Sequence, residues 1–289
     1  MKKLFLVDAY ALIFKYYYAF LGRPMRNRAG MNTSVVFGFV KFLRDIQKRE
    51  RPDLLGVAFD PKGGSFRREI FPEYKANRAE TPEDILLSVP YVKRVLEAMC
   101  IPILEVEGYE ADDVIGTLSQ KGVEAGYEVF MVTPDKDYGQ LVRDNCKIYK
   151  QKGAEGSIEI VDREAIRGKY GIDDPSLVRD ILALWGDASD NIPGVPGIGE
   201  KSACKLVQEW GTAVSYTQTA PCQDTDHHLP RRAHPVPRRR PHGLRTPYRR
   251  TQGPFCRIGF QGLYERPYEP CAPRGATRRP PPGGADPAC

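Results

Sequence analysis

No stretch of the 289 residues approaches the roughly 18 consecutive apolar positions of a membrane-spanning helix. No secretory leader is expected either. MKKLFLVDAYALIF is interrupted by Asp8, and no small-residue cleavage site follows, so the segment reads as a first strand and the cytoplasm is the expected compartment. The first 211 residues contain no histidine. That excludes Ser–His–Asp and Cys–His nucleophile sets from this part of the chain. No G-x-G-x-x-G follows the first strand, which argues against a Rossmann dehydrogenase. Asp8 is followed two residues later by Tyr10 and not by a second aspartate, which argues against an aspartyl-nucleophile phosphatase. The seven cysteines lack paired spacing, which suits reduced thiols better than a disulfide framework.

What is present divides at residue 211. Residues 1–211 carry a net charge of −2, whereas residues 212–289 carry 13 arginines, no lysine and 5 acids, a net of +8. The second segment also holds 14 of the 25 prolines and only eight Val, Leu, Ile, Phe, Met or Trp. So little apolar surface cannot offset the entropy of ordering, and residues 212–289 are expected to be a disordered Arg/Pro-rich tail. Sixteen lysines before residue 211 and none after it suggest a change of coding register, with the reading frame lost near Gly211. The tail's Cys222, His227, His228 and His234 lack zinc-finger spacing.

The body alternates strands with helices. Apolar runs at 4–8, 54–60, 101–107 and 127–135 read as strands. Helices are expected at 33–49 behind Thr33, with Val36, Phe37, Val40, Leu43 and Ile46 at helical spacing, and at 84–99, 110–122 and 176–185, with a short one ending at Trp210. Such alternation predicts an α/β fold with a parallel sheet flanked by helices. Three of the strands run into Asp8, Asp60 and Asp135, and in open parallel sheets the ligand site lies at the carboxyl ends of the strands.

Further acids have a route to that rim. Glu110, Asp112 and Asp113 form E-A-D-D at a helix start, Asp135 and Asp137 lie two apart after a strand, and Asp187 and Asp190 lie three apart in a loop. Any one of them is explained as a helix cap worth about 0.3–1 kcal/mol. Nine converging are not, because crowded carboxylates repel. Divalent cations resolve the conflict, and all-oxygen ligation suits Mg²⁺ or Mn²⁺. Two such ions about 3.5–4 Å apart can promote phosphodiester hydrolysis. Setting the nine acids aside leaves residues 1–211 at net +7, as expected for a surface that binds a polyanion.

At these residues the chain resembles the 5′-nuclease domains of the flap endonuclease and 5′–3′ exonuclease family, such as the N-terminal domain of bacterial DNA polymerase I. The matching segments are LVDAYALIF (6–14), VAFDPKGGSFRRE (57–69), EYKANRAETPED (73–84), VEGYEADDVIGTL (106–118), TPDKDYGQLV (133–142) and GDASDNIPGVPGIGEKSACKL (186–206). The resemblance implies a PIN-like catalytic domain over 1–175 and an incomplete helix–three-turn–helix DNA-binding module over 176–211. It implies a first metal group of Asp8, Asp60, Glu110 and Asp112, and a second of Asp135, Asp137, Asp187 and Asp190 with Asp113 nearby.

The resemblance also makes the stretch after Asp60 an arch that guides a single-stranded 5′ end. Arg67, Arg68, Tyr74, Lys75 and Arg78 lie in it, with Lys75 and Arg78 on one face if the arch is helical. Lys75 would bind or polarise the scissile phosphate, and Tyr74 would stack on a base. Gly194, Gly197 and Gly199 would let backbone N–H groups approach a phosphate, with Lys201 adding charge and K⁺ held by carbonyls of the same turn. GVPGIGEKS departs from a P-loop, since Glu200 separates glycine from lysine, so no nucleotide cofactor is expected. The implied activity is hydrolysis of DNA at 5′ flaps, 5′ ends and RNA-primer ends in replication and repair, by a monomer without polymerase domains. The alternative is a fragment that binds DNA junctions but cuts poorly.

Overall fold

The computed structural model describes residues 1–152 and 157–213; the tail from residue 214 onward, with its expected disorder, frame change and lack of a zinc site, lies outside them. β1 (Lys2–Asp8) sets the plan. Its side chains alternate, Leu4 and Leu6 entering one core cluster and Phe5 and Val7 the other. All four are at most 2% exposed, as a central strand covered on both faces requires.

The first face is closed by α1 (Ala9–Ala19), α2 (Ser34–Arg49) and, beyond β2 (Leu54–Ala58) and the single turn α3 (Arg67–Ile70), by α4 (Glu83–Ala98). After β3 (Ile103–Leu104), α5 (Ala111–Glu124) crosses to the second face and leads into β4 (Tyr127–Val132). β5 (Cys146–Lys152) and β6 (Ser157–Val161) follow. Then α6 (Arg163–Tyr170), α7 (Val178–Trp185) and α8 (Glu200–Trp210) pack on the second face. The short strands β7 (Gly186–Asp187) and β8 (Ile192–Pro193) pair between α7 and α8.

The main sheet runs in the order β3-β2-β1-β4-β5-β6. β1 pairs in parallel with both β2 and β4, so the strand order reverses between β1 and β4. That reversal opens a crevice at the strands' carboxyl ends, where α/β sheets bind ligands. The parallel α/β architecture is as the sequence predicts.

Several details differ. β5 and β6 form an antiparallel hairpin at the edge, with Ile148 opposite Val161, which is not among the strands expected from the sequence. The strand expected over 101–107 is only two residues long. Thr33 does not cap α2: its hydroxyl donates to the Met25 carbonyl at 3.2 Å, and Asn32 Oδ1 receives the Ser34 N–H at 3.1 Å. In α2, Leu43 and Ile46 are buried as expected, but Phe37 is 51% exposed while Val35, Phe39 and Phe42 enter the core. The consecutive apolar run VVF fits two registers, and packing on α1 and α4 selects one. Cys146 and Cys204 are free thiols.

Candidate functional site

Three of the predicted acids stand at one rim because three parallel strands end there. Asp8 closes β1 opposite Ala58 of β2, so Asp60 emerges two residues beyond on the same side. Asp8 caps α1, its Oδ1 accepting the Ala11 N–H at 3.1 Å. Its Oδ2 is reached by the Thr133 hydroxyl at 3.3 Å and the Tyr138 hydroxyl at 3.4 Å. Asp60 Oδ1 accepts the Ala111 N–H at 2.7 Å, tying the end of β2 to the start of α5. Asp135 caps the 3₁₀ turn Lys136–Leu141 by accepting the Asp137 N–H at 2.9 Å.

A second group opens α5. Asp113 accepts the Glu110 N–H at 3.1 Å, and both its oxygens receive the Arg67 guanidinium, at 2.6 and 2.9 Å. Glu110 accepts from Ser65 Oγ at 2.6 Å, Lys75 Nζ at 2.7 Å and the Tyr74 hydroxyl at 3.1 Å. Arg67 also lies 3.8 Å from Asp112. A third group follows α7. Asp187 Oδ1 accepts the Ser189 N–H and hydroxyl at 3.0 and 2.6 Å, and Lys136 Nζ lies 3.7 Å from Oδ2. Asp190 pairs with Arg78 and lies 3.9 Å from Lys75 Nζ.

Residues 73–78 join the second and third groups. The Tyr74 hydroxyl lies 3.1 Å from Glu110 and 3.0 Å from Asp190, so its single proton serves one of them at a time. Backbone contacts fasten the segment: Lys75 N donates to Asp190 O at 2.9 Å, Asn77 Nδ2 to Ala188 O at 2.7 Å and Asn191 Nδ2 to Glu73 O at 2.8 Å. Lys75 has φ 57°, a left-handed conformation that persists where surrounding contacts fix it. The expected helical face for Lys75 and Arg78 is therefore not formed. A turn brings both to Asp190 instead, with Arg78 N donating to Lys75 O at 3.2 Å. Beside them a cleft of about 590 Å³ opens between Glu73, Asn77, Lys136, Trp185 and Asn191.

Three acids are held well above their ordinary range. Asp8 is pushed to about 6 by burial, with Asp60 and Asp135 adding repulsion against the Ala11 and Thr133 bonds. Asp112 reaches about 7, chiefly by burial, Asp113 and Glu110 adding to it against Arg67. Asp137 reaches about 6 by burial and then by the charges of Asp135 and Asp187. Glu110 and Asp187 are lowered. Burial pushes each up, but Lys75 and Ser65 outweigh it at Glu110, and Ser189 and Lys136 outweigh it at Asp187. Where the donors outweigh burial, as at Glu110 and Asp187, the acid ionises more easily; where burial and neighbouring acids outweigh them, as at Asp8, Asp112 and Asp137, it resists ionisation.

The donor set is all oxygen, which suits hard divalent ions. Asp137 Oδ1 is buried without a hydrogen-bond partner among the described residues, and a cation would satisfy it. As placed, however, no three of these acids among the described residues stand close enough to enclose an ion. Arg67, Lys75 and Lys136 pair with these acids and take part of their charge. The residues fit Mg²⁺ or Mn²⁺ nonetheless, because Mg²⁺ keeps several waters and needs only one or two direct carboxylates.

The other predicted positions divide. Tyr74 is only 6% exposed, and Lys75 Nζ sits 4.8 Å over its ring, so neither hydroxyl nor ring face is presented for base stacking. Arg68 is exposed and forms no ion pair among the described residues. Gly194 is locked against the backbone: a Cβ there would fall 2.2 Å from the Trp185 carbonyl oxygen. Gly197, with φ +82°, and Gly199, which precedes α8, have open space around them and lie near exposed Lys201. Ser65, Thr133, Lys136 and Tyr138 also touch the acids, and none of them is expected as a site residue from the sequence. For Lys136 the available signal is its place inside DKD; the hydroxyls have none.

Residues 3–171 match the N-terminal resolvase-like domain of 5′–3′ exonucleases, and residues 173–230 match the C-terminal SAM fold of the same enzymes. DNA polymerase I of Bacillus caldotenax is 41% identical over 212 residues, 73% of this chain and 24% of that one. The chain thus spans about a quarter of the length of that relative. The 5′–3′ exonuclease of Aquifex aeolicus is 34% identical over 212 residues, covering 73% of this chain and 71% of the relative. In fold, the chain is similar to the bacteriophage T5 D15 flap endonuclease, solved as a pseudo-enzyme–product complex with DNA and metal ions. That likeness has a TM-score of 0.61 at 22% identity and covers 76% of this chain and 79% of the other. By its two matching domains and its Aquifex relative, the chain belongs to the 5′–3′ exonuclease family.

Proposed function

We propose that the chain is a metal-dependent 5′–3′ exonuclease and 5′-flap endonuclease that hydrolyses DNA phosphodiesters in replication and repair. The observation that carries this is the meeting of three acid groups at the carboxyl rim of the sheet, with Lys75 in contact with two of them. Asp8, Asp60, Glu110 and Asp112 would hold one divalent ion, and Asp135, Asp137, Asp187 and Asp190, with Asp113 nearby, the other. When bound, Mg²⁺ or Mn²⁺ supplies Lewis acidity at the phosphate and a water of lowered pKa.

The chain's own residues do the rest. Lys75 and Arg78, which stand beside Glu110 and Asp190, would bind or polarise the scissile phosphate. Tyr74 stands between the two groups and would donate its proton to Glu110 or to Asp190. Arg67, Arg68 and Lys201 attract the DNA backbone. Residues 176–211 would act as the duplex-gripping module, and the turn through Gly194, Gly197 and Gly199 would offer N–H groups to a phosphate and carbonyls to K⁺. Residues 1–175 form the catalytic unit. The substrates are DNA with 5′ flaps or 5′ ends, RNA-primer ends included, met by a monomer in the cytoplasm.

The test is cleavage of a labelled 5′-flap duplex in Mg²⁺, with an EDTA control and the Asp135→Ala variant. Metal-dependent cutting near the junction is expected, abolished in the variant while DNA binding is largely kept. Undiminished cutting in EDTA or by the variant would overturn the metal mechanism. A folded chain that binds the junction and never cuts would make it a binding fragment.

A further inference from the structure

We propose that Tyr138 is a positioning residue that orients the Asp8 carboxylate for a divalent ion, an inference that rests on the metal-dependent reading above. The 3₁₀ turn after Asp135 sends consecutive side chains in opposite directions. Asp137 faces the acids of the rim, and Tyr138 turns inward. Its ring is 2% exposed and packs in the core cluster shared by α5, α7 and α8. The next residue has to be small for this turn to lie so deep: a Cβ on Gly139 would stand 3.3 Å from Ile166 and 3.4 Å from Val178. The phenol is therefore delivered from below to the end of β1. There it is surrounded by the charges of Asp8, Asp112, Asp135 and Asp60. Its one hydrogen bond among the described residues is to Asp8 Oδ2.

That bond limits what Asp8 can offer an ion. A carboxylate has about four acceptor positions. On Asp8, Oδ2 receives the hydroxyls of Tyr138 and Thr133, and Oδ1 receives the Ala11 N–H. The position left is on Oδ1, so Asp8 is shaped to give a cation one oxygen. The two hydroxyl contacts, at 3.4 and 3.3 Å, are longer than the usual 2.5–3.0 Å or so for O–H···O bonds. They guide the carboxylate without pinning it, and they can tighten as it moves toward a cation. Thr133 donates to the same oxygen while accepting the Asp135 N–H at 3.2 Å, so it ties Asp8 to Asp135, whereas Tyr138 holds Asp8 from the core.

The test is Mn²⁺ binding to the full chain without DNA, followed by electron paramagnetic resonance, in wild type and Tyr138→Phe. The variant keeps the ring and removes only the hydroxyl. Partner groups behind metal ligands typically change affinity by about 10–100-fold. At least about tenfold weaker Mn²⁺ binding is expected, with the metal-free melting temperature nearly unchanged. Equal affinity in the two proteins would overturn the proposal while leaving the metal-dependent reading intact. No Mn²⁺ binding by the wild type would overturn that reading and the proposal with it. Should Tyr138→Phe melt much lower, the Mg²⁺ dependence of cleavage decides. Positioning moves the activation midpoint to higher Mg²⁺, with most of the rate recovered at saturation. A rate lowered equally at all Mg²⁺ concentrations would mean a structural role only and would overturn the proposal.

Discussion

Lys75 concentrates the chemistry of the site in one side chain. Its ammonium touches Glu110, approaches Asp190 and covers the ring of Tyr74, while its backbone sits at φ 57°. A left-handed lysine costs about 1–3 kcal/mol of strain, and the bonds from Lys75 N to Asp190 O and from Asn77 to Ala188 O hold it there. Removing the ammonium leaves Glu110 without its closest cation but does not touch the surfaces outside the rim. Lys75→Ala is therefore expected to slow flap cleavage by about 10²-fold or more, the scale of losing one preorganised charge at a transition state, with a much smaller effect on duplex affinity. Single-turnover cleavage and fluorescence anisotropy on the same substrate separate the two; an unchanged single-turnover rate would remove Lys75 from the reaction. Most acids of this site are legible in the sequence, Asp8, Asp60, Asp135 and Asp137 because they follow strands and Glu110, Asp112 and Asp113 because they open a helix, whereas Asp187 and Asp190 stand in a loop with no such signal. The hydroxyl partners of the acids are not legible. Ser65, Thr133 and Tyr138 lie in connections without periodicity, and only the folded chain brings them to Glu110 and Asp8.

The connection between α7 and α8 is an element whose backbone leaves no room for side chains at two positions. Gly186 and Gly194 pass so close that a Cβ on the first would meet Gly194 N at 2.3 Å, and one on the second would meet Trp185 O at 2.2 Å. The contact brings Asp187 back toward Lys136 and points Val195 N to Leu184 O at 2.8 Å. Gly194→Ala must push backbone against backbone and is expected to destabilise the chain by about 1–3 kcal/mol and to weaken junction binding. Gly199→Ala in the same connection has φ −92° and open space around it, so a change within about 0.5 kcal/mol is expected. Urea unfolding of the two variants tests the contrast; equal costs would mean that backbone approach is not what fixes the connection. At this scale the placement of the elements is legible in the sequence, and their fine structure is not. Pro/Gly punctuation marks the connection, yet which glycine is sterically required depends on a contact with Trp185 nine residues earlier. Within the polar, charged stretch after Asp60 lies the segment 73–78. It is fixed by Asp190 and Ala188, more than a hundred residues away, which no local period can reveal.

Across the whole molecule, the acids that would serve metal ions work against the fold that carries them. Asp8, Asp112 and Asp137 hold their protons to about 6, 7 and 6 in the folded chain, against an ordinary value of 3.8. Between about pH 4 and pH 7 the folded state therefore binds more protons than the unfolded one, and stability falls as pH rises through that window. Glu110 and Asp187, lowered by their donors, act in the opposite sense, but only below the ordinary carboxylate range, where they begin to protonate. In EDTA the chain is expected to melt at a lower temperature at pH 8 than at pH 5.5. Mg²⁺ should reverse this, because an ion that binds the folded state alone stabilises it in proportion to the logarithm of its concentration over Kd. The gain on adding Mg²⁺ should also be larger at pH 8, where the acids are ionised and free to bind, than at pH 5.5, where protons compete. Calorimetry at the two pH values, with and without Mg²⁺, tests this. A metal-free chain that is more stable at pH 8, or a Mg²⁺ gain independent of pH, would mean that the rim acids are not crowded enough to require a cation. The two-ion site would then lose its electrostatic reason, whatever the acids' positions in the fold.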